Sequence, residues 1–173
     1  MLLLLYSVDI MANDKKTRLL DRIDRNILRH LQDDARLSYV ELADKVGLST
    51  SPCLERVKRL EKEGWILSYN ARLAANKLQA GLLVFVEISL NYTSNNVFNE
   101  FRSAVKKWPE ILECHLVSGD FDYLLKIRIA DMSAYRELLG EIVQELPGVR
   151  DSRTLVAMET VKETSNILIP LNS

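Results

Sequence analysis

The sequence predicts an α+β chain in two parts, a three-helix unit followed by an α/β sandwich, and three observations carry that prediction. Apolar residues recur at helical spacing three times before Gly64, and alternating or continuous apolar runs replace that period afterwards. The charge also changes sign between the two stretches. From Lys15 to Lys77 there are fourteen Lys/Arg against nine Asp/Glu, and from Leu78 to Ser173 nine against thirteen, so a net charge of −1 conceals a basic front and an acidic back. A basic front suits a phosphate-bearing partner.

In the first helix Asp21 serves as cap and Leu20, Ile23, Ile27, Leu28 and Leu31 form one stripe, ending at Asp33 and Asp34. Ser38 and Glu41 form a capping box for the second, in which each side chain satisfies the other residue's backbone N–H. Tyr39, Leu42, Ala43 and Val46 follow on one face, and Gly47 supplies the left-handed exit. The third begins at Ser49 or Ser51 with Pro52 in its first turn, and ends at Gly64. Two helices joined by Gly47-Leu48 make a helix-turn-helix pattern. Cys53, Val57 and Leu60 face the scaffold, leaving Arg56, Lys58, Arg59 and Lys62 for the major groove, while Ser49, Thr50 and Ser51 can donate to phosphate at the helix start.

Trp65 to Leu73 reads as a strand, giving a winged helix-turn-helix, and Ala74 to Gly81 as a hinge. The sandwich then runs strand (Leu82 to Leu90), helix (Ser94 to Trp108), strand (Ile111 to Val117), strand (Tyr123 to Ile129), helix capped by Asp131, and strand (Val149 to Val161). This βαββαβ order is that of a ferredoxin-like fold with both helices on one face of an antiparallel sheet. Leu82 to Phe85 is continuously apolar, so the second face also needs a cover, and another copy of the sheet is the simplest one. A two-fold dimer presents two reading helices, which predicts imperfect palindromes in double-stranded DNA.

The expected divisions are a disordered extension over 1–14, the DNA-binding unit over 15–64, strand and hinge over 65–81, the sandwich over 82–165 and a tail over 166–173. The apolar run Leu2 to Leu5 is too short for a signal peptide or membrane span, and Met11 reads as a more natural start than Met1. Cys53 and Cys114 lie far apart without a CxxC or a histidine at ligand spacing, so neither a disulfide framework nor a metal site is expected. A cytoplasmic, nucleoid-associated protein without a cofactor is the expectation.

The runs from Asp21 to Leu28, Pro52 to Val57, Leu83 to Ile88 and Glu113 to Leu125 strongly resemble the Lrp/AsnC family of bacterial transcription regulators, and the similarity spans roughly residues 15–165. It implies a dimeric regulator whose C-terminal RAM domain assembles dimers into an octamer or larger oligomer and binds an amino acid between them. Carried over by position, the effector set is Leu116, Val117, Ser118, Gly119, Asp120, Asp122, Met132, Leu155, Val156 and Ala157. Gly119 permits close backbone approach, Asp120 or Asp122 can pair with an ammonium, and the apolar members suit leucine, isoleucine or methionine.

Two other classes compete. An enzyme would need Asp120 and Asp122 to find a partner, but His115, the nearby candidate, alternates with Cys114 along a strand, and no nucleophile motif or phosphate loop is present. An architectural protein that wraps DNA without any effector is the remaining alternative.

Overall fold

The computed structural model describes residues 19–92 and 96–170, apart from the side chains of 143 and 144. The chain divides into two compact units, one comprising the residues up to Ala71 together with those from Thr164 onward, the other Arg72–Glu163. The expected extension over 1–14 and the helix start at Ser94 lie outside the described residues.

The first unit holds α1 (Arg22–Asp33), α2 (Tyr39–Val46) and α3 (Thr50–Lys62). Asp21 caps α1 through a capping box with Asp24, and Ser38 does so for α2 with Glu41. Gly47 exits α2 in the left-handed conformation at φ 71°, where a side chain would meet nothing within 4 Å, so backbone strain alone selects glycine there. The N-cap of α3 is Ser49, whose side chain makes no capping bond. Ile27, Leu42, Ala43, Cys53, Val57 and Leu60 form the buried core. Residues 164–170 return to α1: Gln32 exchanges two hydrogen bonds with the Ile167 backbone at 2.8 and 3.0 Å, and the Arg25 guanidinium donates to the Pro170 carbonyl at 2.8 Å.

Trp65 to Leu73 is not a strand. The segment has no ladder partner among the described residues, and it is tied instead to α3 by backbone bonds to Leu60 and by the Tyr69 hydroxyl donating to Glu61 at 2.8 Å. A wing strand therefore does not follow α3 among the described residues.

The second unit opens with a short 3₁₀ turn (Ala75–Leu78) and continues as β1 (Leu82–Leu90), α4 (Val97–Val105), β2 (Ile111–Leu116), β3 (Tyr123–Ile129), α5 (Met132–Glu145) and β4 (Val149–Val156). The sheet order is β2-β3-β1-β4 and every neighbouring pair is antiparallel, the ferredoxin-like arrangement. Val84, Val86, Ile88 and Leu90 of β1 and Tyr123, Leu125 and Ile127 of β3 bury under α4 and α5, against Phe101, Tyr135 and Ile142 among others. The other face carries Leu83, Phe85, Leu124 and Leu155 with the ion pairs Lys126–Glu113 (2.9 Å) and Arg153–Glu87 (4.0 Å).

Two elements end earlier than expected. The last turn of α4 tightens, with Trp108 N–H donating to Val105 three residues back, so the helix stops short of Trp108. The final strand stops at Val156 rather than Val161, because β1 begins at Leu82 and Ala157 makes the last bond, to Leu83. Among the described residues no helix is long and apolar enough to cross a membrane.

Candidate nucleic-acid interface and effector site

Cys53, Val57 and Leu60 turn α3 toward the scaffold, as their spacing predicts. Opposite them run Ser51, Glu55, Lys58 and Lys62 at i, i+4, i+7 and i+11, all exposed. Ser49 and Thr50 are exposed at the positive end of the helix, where backbone N–H groups favour an anion.

Arg56 and Arg59 are placed differently. One Arg56 nitrogen donates to Asp21 at 2.6 Å and to Asp24 at 2.8 Å, and Arg59 donates to Asp24 at 2.6 Å. The Asp24 side chain is 1% exposed, which makes it a buried carboxylate clamped between two guanidinium groups. Partial burial alone raises the Asp21 carboxyl, but the Asp24 N–H and the Arg56 guanidinium outweigh it and hold that carboxyl below its ordinary value. The same bonds push the Arg56 guanidinium further up. In this geometry the two arginines, expected to offer their heads to DNA, spend them on the start of α1 and fix the angle between α1 and α3. Sequence reasoning gave Asp21 the role of a cap alone and passed over Asp24; the signal was a pair of carboxylates three residues apart at the helix start.

Cys53 is buried, and burial pushes its thiol up; Cys114 shows the same direction for the same reason. Neither has the lowered pKa of a reactive thiolate.

In the second unit the loop between β2 and β3 is closed by the Val117 N–H donating to the Asp122 carbonyl at 3.0 Å. The Asp122 carboxylate accepts from the Leu90 N–H at 2.7 Å and from the Tyr92 hydroxyl, and that bond, together with burial, pushes the Tyr92 phenol up. Asp122 thus holds the loop to the end of β1. Asp120 is exposed, Gly119 has φ 147°, and the N–H groups of Ser118, Gly119, Asp120 and Phe121 make no backbone hydrogen bond among the described residues. His115 pairs with Glu113 at 3.2 Å, on the opposite side of the strand from Cys114.

The expected effector residues fall into two groups that one chain does not unite. Leu116 to Asp122 sit where β3 begins, beside Tyr123 and Ile88; Met132 follows the other end of β3, and Val156 pairs with Val84 near that same end. The length of β3 separates the ends by about 20 Å, and β2 and β4 lie on opposite edges of the sheet. Leu116, Met132, Leu155 and Val156 are each more than a third exposed. A cavity of about 750 Å³ opens in the first unit and one of about 500 Å³ in the second, and of the expected effector residues Ala157 alone lines either of these.

The model of the Lrp/AsnC ligand binding domain matches residues 83–167, and a winged helix-turn-helix DNA-binding model matches 20–66. A leucine-responsive regulatory protein of Klebsiella pneumoniae is 62% identical over 150 residues, covering 87% of this chain and 92% of its own, and that of Escherichia coli K12 is 61% identical over the same span. A transcriptional regulator of Neisseria meningitidis, solved as its L-methionine complex, is 36% identical with a TM-score of 0.83 and covers 89% of this chain and 98% of its own. A feast or famine regulatory protein of Mycobacterium tuberculosis, also complexed with L-methionine, is 30% identical with a TM-score of 0.79, covering 88% and 100%. A basic helix-turn-helix joined to a ferredoxin-like ligand-binding unit, matched over nearly the whole described chain, places this protein in the Lrp/AsnC family of DNA-binding transcription regulators.

Proposed function

We propose that the regulator responds to a free amino acid with an aliphatic or thioether side chain, leucine or methionine, in a site completed by two copies of the chain. The carrying observation is the separation of the effector residues to opposite ends of the sheet. One copy supplies the loop 117–122, where Asp120 takes the ammonium and the loop N–H groups take the carboxylate. A second copy supplies Met132, Leu155, Val156 and Ala157 for the side chain, a lining in which a charged side chain would have no partner. The L-methionine complexes of the two solved relatives support an effector of this kind.

The same reading makes the protein a homo-oligomer of cytoplasmic, nucleoid-bound type, a dimer through the apolar residues Leu83, Phe85 and Leu124 of the second sheet face and larger, to an octamer or beyond, through the effector site. On DNA, α3 lies in the major groove with Ser49, Thr50, Ser51, Lys58 and Lys62 contacting the duplex, and Arg56 and Arg59 position the helix. The effector acts by binding one oligomeric arrangement better than another.

Calorimetry with the twenty amino acids tests the effector directly, and heat from leucine or methionine is the expected result. Mixing tests its location. An Asp120→Ala chain and a Val156→Glu chain should each fail to bind, while a mixed oligomer regains part of the sites, because an intact loop then meets an intact strand. No heat from any amino acid, or no recovery on mixing, rejects the two-copy site.

A further inference from the structure

The exposed stripe of α3 is not uniformly basic. Ser51, Lys58 and Lys62 flank Glu55, a carboxylate at the centre of the face that points away from Cys53, Val57 and Leu60. The other carboxylates of this helix and its cap are engaged, Glu61 with the Tyr69 hydroxyl at 2.8 Å and Glu63 with the Trp65 indole N–H at 3.2 Å. Glu55 has no hydrogen-bond or ion-pair partner among the described residues. Its natural helix partner is Arg59 at i+4, the spacing at which Glu and Arg ordinarily pair. Arg59 turns instead to Asp24 at 2.6 Å and to Glu63 at 3.7 Å, and Glu55 is left without it.

A lone carboxylate on a surface that meets DNA is repelled by phosphate and tolerated only where it faces a donor. The major groove offers two amino groups, N4 of cytosine and N6 of adenine. Adenine carries the N7 acceptor beside its amino group and guanine and thymine present acceptors, so a carboxylate is best matched by cytosine, whereas a carboxamide is matched by adenine. Glu55 lies in the second turn of the helix, between the residues that reach phosphate at its start and the lysines beyond.

We propose that Glu55 is a specificity-determining residue of the DNA contact, its carboxylate accepting from the N4 amino group of one cytosine in each half-site. This rests on the reading of α3 as the helix in the groove.

Selection from randomised duplexes with the full chain tests it, using wild type, Glu55→Gln, Glu55→Ala, Lys58→Ala and Lys62→Ala. Wild type should select a C·G pair at one position per half-site, and replacing it with T·A should weaken binding on the order of tenfold or more. Glu55→Gln should move that position to adenine, and Glu55→Ala should leave it without preference while binding to unrelated DNA stays level or rises. Because Glu55 is exposed, all variants should melt with wild type. Identical base preferences in wild type and both Glu55 variants overturn the proposal, and if Lys62→Ala still weakens binding to every sequence, α3 remains the reading helix. If Lys62→Ala and Lys58→Ala change neither affinity nor its salt dependence, the placement of α3 fails and Glu55 falls with it.

Discussion

Among the described residues, the core cluster of the first unit is six apolar side chains, beside a buried carboxylate, Asp24, held by two arginines; that of the second is fourteen apolar or aromatic side chains, and the buried polar residue there, Ser89, carries no charge. The small unit cannot bury enough apolar surface to fix three short helices at set angles, and it adds a charged clamp between elements far apart in sequence. The sheet unit needs no such device, since α4 and α5 bury the inward side chains of the two central strands, β1 and β3. α3 is therefore held by a charged clamp added to its apolar stripe, and the sheet unit by packing alone.

The comparison breaks most visibly on truncation of Phe101, which is fully buried and stacks on Tyr123 with ring centroids 4.5 Å apart. Phe101→Ala should destabilise the second unit by about 4 kcal/mol, with little dependence on salt. Unfolding followed by Trp108 fluorescence in a Trp65→Phe background measures it.

Asp24→Ala comes next. Removing this carboxylate leaves Arg56 with Asp21 alone and Arg59 with Glu63 alone, at 3.7 Å, and breaks the α1 capping box, so the first unit should lose about 3 kcal/mol, the low end for breaking a buried pair because both arginines reach water. Trp65 reports it in a Trp108→Phe background. DNA binding should weaken in parallel although Asp24 faces no DNA, and unchanged affinity would show that the clamp does not set the helix angle.

Ser38→Ala removes the capping bond to the Glu41 N–H and should cost the first unit about 1 kcal/mol, again read by Trp65. The smallest effect is on acidification. The Asp21 carboxyl titrates below its ordinary 3.8 in the folded chain, so its contribution is complete above about pH 4 and is lost as pH falls through the lower folded value. Asp21→Asn should flatten this part of the first unit's stability profile as pH falls below about 4.

Local chemistry made much of this visible in the sequence. The caps at Asp21, Ser38 and Asp131 and the exit at Gly47 lie within four residues of the groups they serve, and each is found where the spacing predicts. The clamp joins residues more than thirty positions apart, so periodicity places Arg56 and Arg59 beside the groove but cannot show which way their heads turn. The strand expected over Trp65 to Leu73 failed for a related reason, since a strand is defined by a neighbour and not by its own composition. The effector residues were identified by position along the chain, and the strand register, with Leu116 beside Tyr123 and Val156 beside Val84, reveals that they lie at opposite ends.

Residues 164–170, bonded to Arg25 and Gln32 of α1, follow the whole of the sheet unit in the chain. During synthesis they leave the ribosome last of these elements, after β1 to β4 are already available to pair. The front unit can assemble its three helices early, but it receives its final contacts only once the ligand-binding unit has been made. A regulator wired in this way completes its DNA-binding part after the part that senses, so a chain arrested between the two carries an unfinished front unit.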